Sequence, residues 1–133
     1  MTLWYRAPEI ICRKSKYDLT VDIWSLGCIF GEMIDGKCLF QGDSEIGTLF
    51  KIFHQLGTPT LSYSNGNYSE FKHEFPKFEK KPFAFKNNIG DDAIDLLMCM
   101  LSLTPESRPN ATNCLKHPFL KSLDTSMLPV KYE

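Results

Sequence analysis

The alternation of apolar and polar positions is most regular between Thr20 and Gly36, and its period is helical. At about 100° per residue, Ile23, Leu26, Ile29, Phe30, Met33 and Ile34 cover more than half of a helical circumference and leave Asp22, Ser25, Glu32 and Asp35 a narrower polar arc. Thr20 supplies an N-cap, Asp22 a negative charge in the first turn, and Gly36 a C-terminal stop. A helix this apolar, yet too short to cross a bilayer, is expected to lie buried at the centre of the fold. Gly27 and Gly31 each cost roughly 1 kcal/mol of helix propensity relative to alanine. Their retention predicts a neighbour pressed close to that side.

The remaining elements are arranged around this helix. Pro8 opens a short helix through Glu9, Ile10, Ile11 and Cys12, followed by a Lys/Arg-rich surface loop. Asp43 or Ser44 caps a second helix over residues 43–56, with Ile46, Leu49, Phe50, Phe53 and Leu56 on its inner face and Glu45, Lys51 and Gln55 outside. Gly57 and Pro59 close it. Between Thr60 and Gly90 no period holds, which predicts an irregular loop pinned by Phe71, Phe75, Phe78, Phe83 and Phe85, with Lys77–Lys81 as a solvated face. Asp91 or Asp92 caps a third helix carrying the stripe Ile94, Leu97, Met98 and Leu101, ended by Pro105. Asn110 caps a last short helix through Cys114, Leu115 and Lys116, stopped by Pro118. The tail beyond Leu120 is polar and expected to be loose. No strand pattern or repeat appears, so the expected fold class is mainly α.

Composition narrows the function classes. The 133 residues allow one domain, and 43% hydrophobic with 23% charged residues is the mix of an ordinary globular protein. With a net charge of −1 and scattered Lys and Arg, no nucleic-acid or membrane footprint is visible. Cys12, Cys28, Cys38, Cys99 and Cys114 form no CxxC pair and have no histidine at metal-ligand spacing, which predicts reduced thiols and a cytoplasmic or nuclear setting. His54, His73 and His117 are far apart and are expected in structural or solvent-facing roles. No catalytic residue set, metal cluster or phosphate-cradling glycine loop emerges. Asp22 is the one carboxylate that looks deliberately placed.

Four ordered motifs do carry a family resemblance. Thr2-Leu3-Trp4-Tyr5-Arg6-Ala7-Pro8-Glu9 resembles the end of the activation segment of a eukaryotic protein kinase, with its Ala-Pro-Glu signature. Asp22-Ile23-Trp24-Ser25-Leu26-Gly27-Cys28-Ile29-Phe30 resembles the central helix of that fold's C-terminal lobe. Gly42-Asp43-Ser44-Glu45-Ile46 with Leu56-Gly57-Thr58-Pro59, and Arg108 ahead of His117-Pro118-Phe119, are similar to the cyclin-dependent kinases in particular. The resemblance implies a partial protein-kinase domain over residues 1–120 and a polar tail over 121–133. It further implies ATP and Mg2+ as cofactors of the intact domain, a protein substrate, a cyclin-like activator, and transfer of the γ-phosphate to Ser/Thr-Pro sites.

The resemblance also assigns roles. Glu9 would pair with Arg108, a structural ion pair. Asp22 would accept hydrogen bonds from the backbone of the catalytic loop. Thr2 would lie beside the catalytic aspartate, and Leu3, Trp4 and Arg6 would help to build the pocket for the residue after the phosphorylated Ser or Thr. Departures from the family accompany these likenesses. The 133 residues contain no Gly-rich loop, strand lysine, His-Arg-Asp catalytic loop or Asp-Phe-Gly, and Met1 stands where the family usually has valine, so the chain is expected to begin in mid-domain. The resemblance therefore implies an incomplete C-terminal lobe, inactive alone, with no N-terminal lobe. An apolar patch on the glycine side of the central helix would face water. The alternative is a kinase-derived, non-catalytic binding module that docks a protein through residues 43–56 and 60–90.

Overall fold

Helix α2, Thr20–Asp35, ends where Gly36 adopts the left-handed conformation at φ 79° and donates its N–H to the Glu32 carbonyl at 2.7 Å. At the other end the cap comes from outside the helix. Asp18 Oδ1 accepts from the Thr20 N–H at 2.9 Å and from Thr20 Oγ1 at 2.5 Å, so Thr20 is the first helical residue rather than the cap. A computed structural model describes residues 3–12, 18–59, 76–86 and 88–121. Their order is a 3-10 turn at Leu3–Tyr5, α1 at Pro8–Ile11, α2, α3 at Glu45–Leu56, α4 at Asp91–Met100, a 3-10 turn at Pro105–Ser107, α5 at Ala111–Leu115 and α6 at Pro118–Lys121. Among the described residues there is no strand, and the protein is mainly α.

The burial of α2 is one-sided, which corrects the nearly all-round burial its apolar circumference predicts. Ile23, Trp24, Gly27, Cys28 and Gly31 are buried, whereas Leu26 is 48% exposed, Ile29 45% and Met33 81%. The glycine side is the packed one. A Cβ on Gly27 would meet Leu101 Cδ2 at 2.9 Å and Met100 Cβ at 3.0 Å, and one on Gly31 would run into the Leu39 side chain. Helix α4 and the two 3-10 turns lie against α2. The apolar patch that faces water therefore runs along Leu26, Ile29 and Met33, opposite the glycines.

Two clusters make the core. The larger joins Trp24 and Cys28 of α2 to Phe40, to Leu49, Ile52, Phe53 and Leu56 of α3, and to Leu97, Leu101 and Leu103. The smaller joins Ile23 to Leu96, Met100 and Cys114. Trp24, wholly buried, stacks on Phe40 with ring centroids 5.8 Å apart.

Helix α3 is capped by Ser44, whose side chain accepts from the Gly47 N–H at 3.0 Å. Its buried face is turned from the predicted one: Thr48 and Ile52 point inward, while Ile46 and Phe50 are 47% and 44% exposed. The turn has two causes. The 40–42 connector presses on Thr48, and Phe50 finds an outer partner in Phe78, edge-on at 5.3 Å. Residues 76–86 are strapped to the end of α3 by Thr58 N–H to the Phe78 carbonyl at 3.1 Å and Lys81 N–H to the Gln55 carbonyl at 3.0 Å. Phe78, Phe83 and Phe85 pack against the larger core, and Lys77, Lys80 and Lys81 are exposed. Phe71, Phe75 and His73 lie outside the described residues.

In α4, Gly90 rather than an aspartate occupies the cap, and Asp91 and Asp92 sit in the first turn, where the dipole favours them. The buried side is Ala93, Leu96, Leu97 and Met100, with Ile94 and Met98 half-buried, because α2 lies across the Met100–Leu101 end. Pro105 does not end α4; it opens the following 3-10 turn. Asn110 accepts from the Asn113 N–H at 2.8 Å and starts α5. His117 then ties α6 to α4, with Nε2 2.7 Å from Asp95 Oδ2 and Nδ1 accepting from the Phe119 N–H at 3.1 Å.

Candidate functional site

The segment from Leu3 to Glu9 is a strap across the ends of α2 and α3. Its shape is local in origin. Leu3–Tyr5 turns tightly, with the Arg6 N–H donating to the Leu3 carbonyl at 3.2 Å. Ala7 is extended at φ −61° and ψ 143°, as a residue before proline must be, and Pro8 then opens α1 with its ring-fixed φ. This places Glu9 in the first turn of α1, buried.

Glu9 and Arg108 meet there, although 99 positions separate them. The guanidinium donates through NH1 to Oε1 at 2.6 Å and through NH2 to Oε2 at 2.9 Å, with both side chains at most 1% exposed. The rest of the fork is used as well. Nε donates to the Ser102 carbonyl at 2.9 Å, NH1 also to the Thr20 carbonyl at 3.2 Å, and the cation lies 5.2 Å from the Trp24 ring. Arginine suits this place because its planar donors match a carboxylate two at a time and its charge needs partners once water is removed.

Further along the strap, Ser25 Oγ donates to the Tyr5 carbonyl at 2.7 Å and Tyr5 OH donates to Glu32 Oε1 at 2.8 Å. That bond to a carboxylate, helped by burial, pushes the Tyr5 phenol up to about 12. Trp4 Nε1 donates to the Gly42 carbonyl at 2.9 Å, and Arg6 NH1 stands 3.5 Å from Glu45 Oε1. Leu3, Trp4 and Arg6 are half-buried neighbours on one strap, and Thr2 lies outside the described residues. Asp22 is exposed, and among the described residues no hydrogen bond or ion pair reaches its carboxylate. The structure thus brings Glu9 to Arg108. Gly42, Glu45, Ser25 and Glu32 were missed as strap supports. The Gly42-Asp43-Ser44-Glu45 motif marked the first two without giving them a task.

What the arrangement can do chemically is hold and present. Among the described residues no group of three or more His, Cys, Asp or Glu could hold a metal ion. The described residues therefore offer no carboxylate set that fits a Mg2+–ATP complex. Burial pushes the Cys12 thiol up to about 12 and the Cys28 thiol higher still, which makes both poor nucleophiles. No described helix is long and apolar enough to cross a membrane.

The family model for the protein kinase domain matches residues 1–120. The chain belongs to the protein kinase family. Cell division control protein 2 homolog 3 of Trypanosoma brucei brucei is 44% identical to this kinase chain over 124 residues, which cover 90% of the chain and 40% of that protein. The likeness to cyclin-dependent kinases therefore rests on a relative as well as on motifs, and the chain spans about 40% of that relative's length. As a family, protein kinases use ATP with Mg2+ and act on protein substrates.

Proposed function

We propose that these residues are the substrate-receiving part of the C-terminal lobe of a cyclin-dependent-kinase-like Ser/Thr kinase, whose intact domain transfers the ATP γ-phosphate to Ser or Thr followed by proline. The observation that carries this reading is the buried, two-pronged Glu9–Arg108 pair, which fixes the strap bearing Leu3, Trp4 and Arg6 on the helices beneath it. Leu3, Trp4 and Arg6 line the pocket for the position after the phosphoacceptor, and Thr2 serves substrate binding by orienting the catalytic aspartate of the intact domain. Proline fits such a pocket because its ring offers apolar surface to Leu3 and Trp4. Any other residue brings a backbone N–H whose desolvation is costly without an acceptor. The activator of the intact kinase is of the cyclin type. The 133 residues alone bind substrate weakly and transfer no phosphate.

The test replaces the corresponding segment of the trypanosomal relative with residues 1–120 and assays the chimera, with ATP and Mg2+, on a Ser-Pro peptide and its Ser-Ala twin. The expected result is phosphorylation with a clear preference for Ser-Pro, and none by the 133-residue chain. A folded chimera that is inactive, or indifferent to the proline, overturns the reading.

A further inference from the structure

We propose that Gly42 and Glu45, at the N-terminal lip of α3, are positioning residues that set the shape of the proline-accepting pocket; the inference rests on the function proposed above. Two side chains of the strap, Trp4 and Arg6, reach this lip. The Gly42 carbonyl accepts from Trp4 Nε1 at 2.9 Å, and Glu45 Oε1 stands 3.5 Å from Arg6 NH1. The first contact fixes the plane of the indole, which has one N–H and hence one direction in which it can be satisfied. The second holds the guanidinium at the pocket's edge.

The lip is rigid for reasons visible around Gly42. A Cβ there would lie 2.5 Å from Thr48 Oγ1 and 2.6 Å from Thr48 Cα and would strike the Thr48 nitrogen, so only glycine lets the connector lie on α3 this closely. The contact is kept although it leaves Thr48 Oγ1 buried with no partner among the described residues. Glu45 is fixed differently. It occupies the first turn of a helix capped by Ser44, where the N-terminal dipole favours its charge. The pocket's selectivity is therefore written partly in the α2–α3 connector, some 38 positions along the chain from Trp4.

The experiment uses the full 133-residue chain, labelled with nitrogen-15. Its two tryptophans give two indole N–H resonances, of which Trp24 is wholly buried and Trp4 belongs to the strap. A Ser-Pro peptide and its Ser-Ala twin are titrated into the wild type, Glu45→Gln, Glu45→Asp and Gly42→Ala. In the wild type, the Trp4 resonance is expected to move more, and at lower concentration, with Ser-Pro. Glu45→Gln lowers the Ser-Pro to Ser-Ala affinity ratio about threefold, the scale of a lost surface ion pair. Glu45→Asp restores part of that ratio, and neither change moves Trp24. Gly42→Ala shifts the free Trp4 resonance and speeds its hydrogen exchange; should that variant unfold, the Glu45 pair decides. An unchanged ratio in Glu45→Gln overturns the inference and leaves the proposed function standing. Equal response of the wild-type chain to both peptides overturns the function, and the inference with it.

Discussion

Arg108 shows how much one side chain can be asked to hold. Its guanidinium touches Glu9, Ser102, Thr20 and the face of Trp24, which joins α1, the start of α2 and the segment after α4. Removing one member leaves the other buried and uncompensated, so Arg108→Ala or Glu9→Ala is expected to cost about 3–5 kcal/mol in urea denaturation. The double change Glu9→Leu with Arg108→Met should cost less than either single one. Gly27→Ala is a second residue-level prediction. Alanine gains about 1 kcal/mol of helix propensity, but its Cβ would press on Met100 Cβ, which moves only with α4. Net destabilisation by about 1–2 kcal/mol is expected in the same assay. Cys12 gives a pH dependence. Burial raises its thiol from 9.0 to about 12, so the folded protein keeps the proton longer than the unfolded chain does. The contribution is fully present below pH 9 and is lost as the pH rises from 9 to 12, which chemical denaturation across that range will show.

Among the helices, the caps of α3 and α5 were easy to read, while those of α2 and α4 and the buried faces were not. Ser44 and Asn110 act through bonds to an N–H three residues on, a local geometry that residue type and spacing reveal. Ser44→Ala should therefore lower stability by about 1 kcal/mol, checked by thermal unfolding. Faces depend on neighbours that the chain supplies from far away. Phe50 reads as core on periodicity, yet it turns outward to meet Phe78. Thr48 is not among the apolar positions of that face, yet it is buried with Gly42 lying on it. Asp18, whose carboxylate accepts from the first N–H of α2, escaped notice because Thr20 is as good a capping residue and lies only two positions on. The Glu9–Arg108 pair could not have been drawn from spacing at all. It was named only through the family resemblance.

For the molecule as a whole, the decisive surface is the exposed side of α2. Leu26, Ile29 and Met33 form a stripe at helical spacing that no described element covers, on the central helix of a kinase chain matching 40% of its relative's length. Such a stripe in water drives association. The isolated chain is expected to sediment as a concentration-dependent mixture, and Ile29→Lys with Met33→Lys should shift it toward monomer without loss of helical circular dichroism. A sharp monomeric profile for the unmodified chain would contradict this.

The distance in sequence between residues 9 and 108 has a consequence for synthesis. The strap leaves the ribosome 99 residues before the arginine that locks it. Over that interval Glu9 is a carboxylate awaiting its counter-ion, so α1 has no reason to settle early. The Leu3–Arg6 segment acquires its final form only once the turns around Arg108 emerge, and nascent chains halted short of residue 108 should remain open to proteases within residues 3–12.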